Sequence, residues 1–99
     1  MNTTVYFMIS YDIVNADLFK TYGPNLLPLL KKYQAEVLVS DTEAIVFEGT
    51  GKRMNAIIKF PSKELAMSCY NDPEYEPIKK IRLDSTTNCS MVLVKGFGQ

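Results

Sequence analysis

Residues 4–13, TVYFMISYDI, decide how this chain folds. β-Branched and aromatic residues crowd the stretch, which predicts a first strand over residues 3 to 12. Successive side chains of a strand point to opposite faces, so Val5, Phe7, Ile9 and Tyr11 share one face and Tyr6, Met8, Ser10 and Asp12 the other. Both faces are apolar for most of their length. Such a strand wants cover on both sides, and the rest of the chain must supply it.

Downstream, Leu18, Tyr22, Leu26, Leu29, Leu30 and Tyr33 recur at steps of three and four, the stripe of a helix capped by Asn15 and ending near Tyr33. Pro24 and Pro28 interrupt it. A proline inside a helix costs about 3 kcal/mol through a lost donor and a clash with the preceding turn, so a kink or restart is expected near Gly23-Pro24. AEVLVS (35–40) reads as a second strand, SDTEA as a polar turn and AIVFEG (44–49) as its hairpin partner. MNAIIKF (54–60) is the next strand, ended by Pro61. Ser62 then caps a helix with Leu65, Ala66, Cys69 and Tyr70 on its apolar face. Asp72 caps another, with Pro73 in the first helical position and Glu74 beside it. NCSMVLVKGF (88–97) closes the order β-α-β-β-β-α-α-β.

This order predicts one domain over residues 1–99, an α+β two-layer sandwich of ferredoxin-like type. Its helices can cover only one face of the sheet. The other face, carrying residues such as Tyr6, Met8, Val92 and Val94, predicts a homodimer formed by packing sheet against sheet.

With 11 basic and 11 acidic side chains the formal charge is zero, which gives no footprint for a phosphate backbone, and nucleic acid is not an expected partner. The first residues carry no basic leader, and no apolar run approaches the length of a membrane span; a soluble, cytoplasmic chain with no membrane partner is expected. There is no histidine, and Cys69 and Cys89 stand in no ligand-like spacing. Usual zinc patterns and Cys/His or Ser/His nucleophile pairs are therefore absent from the sequence, and both cysteines are expected to be reduced, small buried residues with no metal and no cofactor.

Without histidine, acid and base work falls to carboxylates, tyrosines or lysines. EGTGKR (48–53) is not a phosphate loop, because that pattern needs glycine at Val46 and Ser or Thr at Arg53; it reads as a glycine turn. Asp12, where the first strand leaves the sheet, and Asp41 with Glu43 read as turn residues. Tyr75, Ile78 and Arg82 fall on one face of the last helix, a face that must include its buried side. Arginine is costly there without a carboxylate, carbonyls, water or an anion. Two readings stand: a salt bridge or snorkelling arginine, or the polar anchor of a small-molecule pocket with Tyr22, Tyr70 and Tyr75.

FPSKELAMSCYNDPEYEPIKKIR (60–82), with LLPLLKKY before it and SMVLVKGF after it, resembles the bacterial family known as domain of unknown function 1330. The resemblance spans nearly the whole chain and is most specific at Phe60-Pro61-Ser62, Tyr70, Pro73, Glu74, Tyr75 and Arg82. That family usually has glycines where this chain has Gln34 and Ala35. It is similar in turn to the dimeric α/β-barrel superfamily, which includes small monooxygenases and isomerases. The resemblance implies a homodimeric binding domain, or else a cofactor-free enzyme acting on a small aromatic or carbonyl compound.

Overall fold

The computed structural model describes residues 3–98. The chain runs β1 (Val5–Ile13), α1 (Ala16–Phe19), α2 (Tyr22–Lys32), β2 (Glu36–Asp41), β3 (Met54–Phe60), α3 (Lys63–Tyr70), α4 (Tyr75–Ser85) and β4 (Thr86–Lys95). The strands pair antiparallel in the order β2-β3-β1-β4. Each helical crossover thus skips one position, β3 separating β1 from β2 and β1 separating β3 from β4, which is the ferredoxin-like α+β arrangement.

β1 is central, and its alternation fixes both faces of the sheet. Val5, Phe7, Ile9 and Tyr11 are buried toward the helices, level with Phe60, Ile58, Ala56 and Met54 of β3. Phe60 is almost fully enclosed, with the Phe7 ring edge-on at 5.7 Å. On the opposite face Val39, Ile57, Met8 and Val92 stand in register across all four strands, next to a row of Glu36, Lys59, Tyr6 and Val94. Met8, Val39, Val92 and Val94 are exposed.

The helical stripe breaks earlier than Gly23-Pro24. Asn15 Oδ1 accepts the Leu18 N–H at 3.1 Å to cap α1, which ends within a turn, and α2 restarts at Tyr22. The restart places Pro24 third in α2, where a backbone donor has no intrahelical acceptor in any case, so only Pro28 interrupts the interior. At the other end, Gln34 N–H donates to the Lys31 carbonyl and Ala35 N–H to that of Leu30, with Gln34 at φ 60°. This is a Schellman closure, whose left-handed residue is normally glycine.

Two further expectations are corrected. AIVFEG forms no strand: β2 pairs with β3, and the segment lies in the connecting loop with Ile45 and Phe47 84% and 91% exposed. α4 begins at Tyr75, later than the Asp72 cap implied. Asp72 instead closes the preceding turn by accepting the Glu74 N–H at 2.8 Å, while its other carboxylate oxygen accepts from Lys32 Nζ at 3.0 Å and from the Tyr33 hydroxyl. It therefore ties the end of α2 to the joint between α3 and α4.

Gln34→Gly should raise stability by roughly 0.5 to 1 kcal/mol, the left-handed strain relieved less the greater freedom of glycine in the unfolded chain. A urea titration that shows no gain would discount strain at this closure. For Asp72, the Tyr33 hydrogen bond, then the Glu74 backbone bond and Lys32, hold the carboxyl down to about 2 from 3.8. A depressed carboxyl contributes stability that is complete above its unfolded value and lost as pH falls through its folded value. Asp72→Asn should therefore be less stable than the parent at neutral pH, with the difference in denaturation midpoint closing between about pH 4 and pH 2. A gap independent of pH would show that charge is not what holds the joint.

Candidate functional site

Four elements bring a polar cluster together at one end of the sheet. Tyr11 closes the buried face of β1, Tyr22 opens α2, Tyr75 opens α4, and Arg82 follows Tyr75 two turns later on the same buried face of α4. The Tyr22 and Tyr75 hydroxyls meet at 3.1 Å in a buried hydrogen bond. Phe19 stands against both Tyr11 and Tyr22, with ring centroids at 5.6 and 5.8 Å. β4 contributes Cys89, beside a register shift at which Asn88 takes φ 54°.

Arg82 is 4% exposed. Its Nη1 donates to Cys89 Sγ at 2.9 Å, and its Nε is buried without a hydrogen-bond partner among the described residues. No ion pair to Arg82 is found among those residues. Burial opposes the guanidinium charge, but the neighbouring Tyr75, Tyr22 and Cys89 outweigh it and hold Arg82 above its ordinary pKa. The phenols respond the other way. Burial pushes Tyr11 up to about 12, and burial followed by Tyr75 lifts Tyr22 well above the usual tyrosine range, so both stay protonated donors at neutral pH.

Beside this cluster lies a cleft of about 330 Å³ between the first two helices and the β1, β3 and β2 side of the sheet. Phe19, Leu26 and Leu30 form its helical wall, and Ile9, Ala56 and Ile58 its sheet wall. Tyr11 and Tyr22 also line it, whereas Arg82 and Tyr75 do not. A groove of about 640 Å³ at the opposite end of the sheet, beside Lys63 and Lys95, is lined by none of these groups.

Of the four residues singled out from sequence, Tyr22, Tyr75 and Arg82 come together. Tyr70 stands apart from the cleft, half-buried, 5.6 Å from the Tyr75 ring and under Lys79 Nζ at 4.7 Å, beside a void of only about 20 Å³. Tyr11 and Cys89 join the cluster without having been singled out. Tyr11 was legible as the last residue of the buried face of the first strand, but nothing in the sequence showed which β4 residue would stand near it. Cys69 is buried as expected, its thiol pushed up to about 11 by burial, and free; Cys89, also free, is exposed, contrary to expectation, because the irregularity in β4 leaves it at the rim. The turn reading holds for Asp41, whose Oδ1 accepts the Glu43 N–H at 2.7 Å; Asp12 is not a turn residue but stands in β1 opposite Thr87, where it accepts from Asn88 at 3.1 Å.

Fold and site together define a ferredoxin-like domain with an internal tyrosine–arginine cluster. The chain belongs to the family described as domain of unknown function (DUF1330), whose profile matches residues 4–97. No curated protein matches it. Among solved structures it is similar to a protein of unknown function from Rhodopseudomonas palustris, with 13% identity, a TM-score of 0.84, and coverage of 100% of this chain and 86% of that one. A dimeric ferredoxin-like protein of unknown function from Thermobifida fusca has 9% identity, a TM-score of 0.69, and coverage of 97% and 93%. A cofactor-independent oxygenase from Streptomyces nogalater has 8% identity, a TM-score of 0.67, and coverage of 98% and 96%. At these identities the likeness is one of fold. No helix among the described residues is long and apolar enough to cross a membrane.

With no carboxylate paired to Arg82 among the described residues, Arg82→Met should keep the fold and melt within a few degrees of the parent or above it. A loss of 3 kcal/mol or more in chemical denaturation, the size expected when a buried ion pair is broken, would show that a counter-charge holds Arg82 after all.

Proposed function

We propose that this single-domain chain works as a cytoplasmic homodimer that binds a small molecule in the cleft between its first two helices and the sheet. The observation that carries the reading is the pairing of an apolar cleft with a buried, uncompensated guanidinium behind a pair of tyrosine donors. An apolar cavity with a few converging polar groups is the usual form of a small-molecule site. Tyr22 is the direct polar contact, with Tyr75 and Arg82 behind it; Tyr70 supports Tyr75 from the side. The zero net charge gives nucleic acid no basis for binding.

The dimer rests on the open face of the sheet. Val39, Ile57, Met8 and Val92 form an apolar band across every strand, continued by Tyr6 and Val94, and a second copy of the same band is its natural cover. The Thermobifida fusca neighbour, described as dimeric and ferredoxin-like, supports a dimer. A second reading, a cofactor-free enzyme acting on a small aromatic or carbonyl compound, is favoured by the proton-donating tyrosines at the end of the cleft and by the fold shared with the Streptomyces nogalater oxygenase.

Native mass spectrometry of freshly purified protein should show twice the chain mass, with a retained small molecule that leaves on collisional activation. Met8→Lys, which sets a charge in the middle of the band, should give a folded monomer by light scattering at micromolar concentration. A parent protein that is monomeric there would end the dimer proposal.

A further inference from the structure

We propose that the cleft takes its ligand as an oxyanion: an apolar, ring-sized compound whose ionised oxygen, phenolate or enolate, accepts from the Tyr22 hydroxyl with Arg82 behind it. This deepens the binding reading above and rests on it. Arg82 is a cation 4% exposed, with a buried Nε lacking a partner and no ion pair among the described residues. Buried charges are ordinarily paired, and this one has no counter-charge among the described residues. The groups facing it are Tyr11 from β1, Tyr22 from α2, Tyr75 from α4 and Cys89 from β4. Asp12, the nearest carboxylate in sequence to Tyr11, is engaged with Asn88.

The Tyr22–Tyr75 hydroxyl pair can direct a donor toward the cleft. A guanidinium only donates, so the tyrosine oxygens beside Arg82 can meet it only as acceptors. Either hydroxyl of the Tyr22–Tyr75 pair, 3.1 Å apart, can donate; with Tyr75 donating, the Tyr22 proton is free for an acceptor on the cleft side. Each donor in this series is polarised by the positive charge at its root, and the last of them strengthens most against a negative oxygen. A neutral carbonyl would use the donor but leave the charge uncompensated; an oxyanion uses both. The apolar walls then exclude water and raise the worth of that match.

The test uses 4-nitrophenol, which ionises to a coloured phenolate, and its methyl ether 4-nitroanisole, which has the same body and no ionisable oxygen. Binding of each is followed by shifts of the Leu26 and Ile58 methyl signals in NMR, and ionisation of bound 4-nitrophenol by absorbance against pH. In the parent protein the apparent pKa of bound 4-nitrophenol should fall by about one to three units relative to free solution, as a cation nearby produces. Arg82→Met and Tyr22→Phe should each lose most of that fall while still binding 4-nitroanisole; Tyr22→Phe removes a single oxygen and guards against a folding defect in the other variant. If 4-nitroanisole binds but 4-nitrophenol keeps or raises its pKa, the oxyanion proposal is overturned and the cleft reading stands. If neither compound moves the methyl signals at millimolar concentration, both are overturned.

Discussion

The sheet has two apolar faces and helices for only one. β1 lies at its centre with Val5, Phe7, Ile9 and Tyr11 toward the helices and Tyr6, Met8 and Ser10 toward the open side, and every other strand is registered to it directly or through β3. Because the side-chain period of a strand is two, a slip of one residue would turn Phe7 and Ile9 out and bring Met8 and Ser10 in. The same register that builds the core therefore also builds the exposed band. The two cannot be altered independently.

The helical layer is stretched thin by the same constraint. The proline-rich stretch breaks into a single turn, α1, and the longer α2, and this break sets Phe19 and Tyr22 side by side over the end of β1. A straight helix would not have been free to place both rings there. The cleft opens beside this joint, and its polar end is assembled from the first residues of two helices, Tyr22 and Tyr75. The Asp72 bonds to Lys32 and Tyr33 fix the far end of α2 against the α3–α4 joint, so the spacing of Tyr22 from Tyr75 is governed from the other end of α2.

Strand positions, caps and the buried face of α4 were legible because each rests on a local rule: alternation for β1, side-chain acceptors for Asn15 and Ser62, and steps of three and four for Tyr75, Ile78 and Arg82. What was not legible depends on competition between distant segments. AIVFEG has the composition of a strand, but strand propensity measures fit to a pleated, half-buried surface, and β3 already occupies the inner edge of β2 with Met54, Ile58 and Phe60 filling the core. Ile45 and Phe47 had no covered position left. Tyr70 does not line the cleft, but it borders a small void together with Tyr22, Leu26, Leu30 and Tyr75, a meeting of α2, α3 and α4 that helical spacing along α3 alone does not show.

Arg82 is where sequence reasoning and structure meet most usefully. Its burial followed from its place on α4, and the open issue was what lay opposite the guanidinium. A carboxylate would have made it a structural ion pair with little to say about function. What lies there is two phenols held in their neutral form, a third hydroxyl and a sulfur, all of them dipoles or weak acceptors, so the positive charge is stabilised but not neutralised. Neutral dipoles serve a buried cation less well than an anion does, and folding alone gives no reason to keep an arginine rather than a methionine in such a place. The charge gains its value when something negative arrives, and the cleft behind Tyr11 and Tyr22 is the adjoining space in which it could be received.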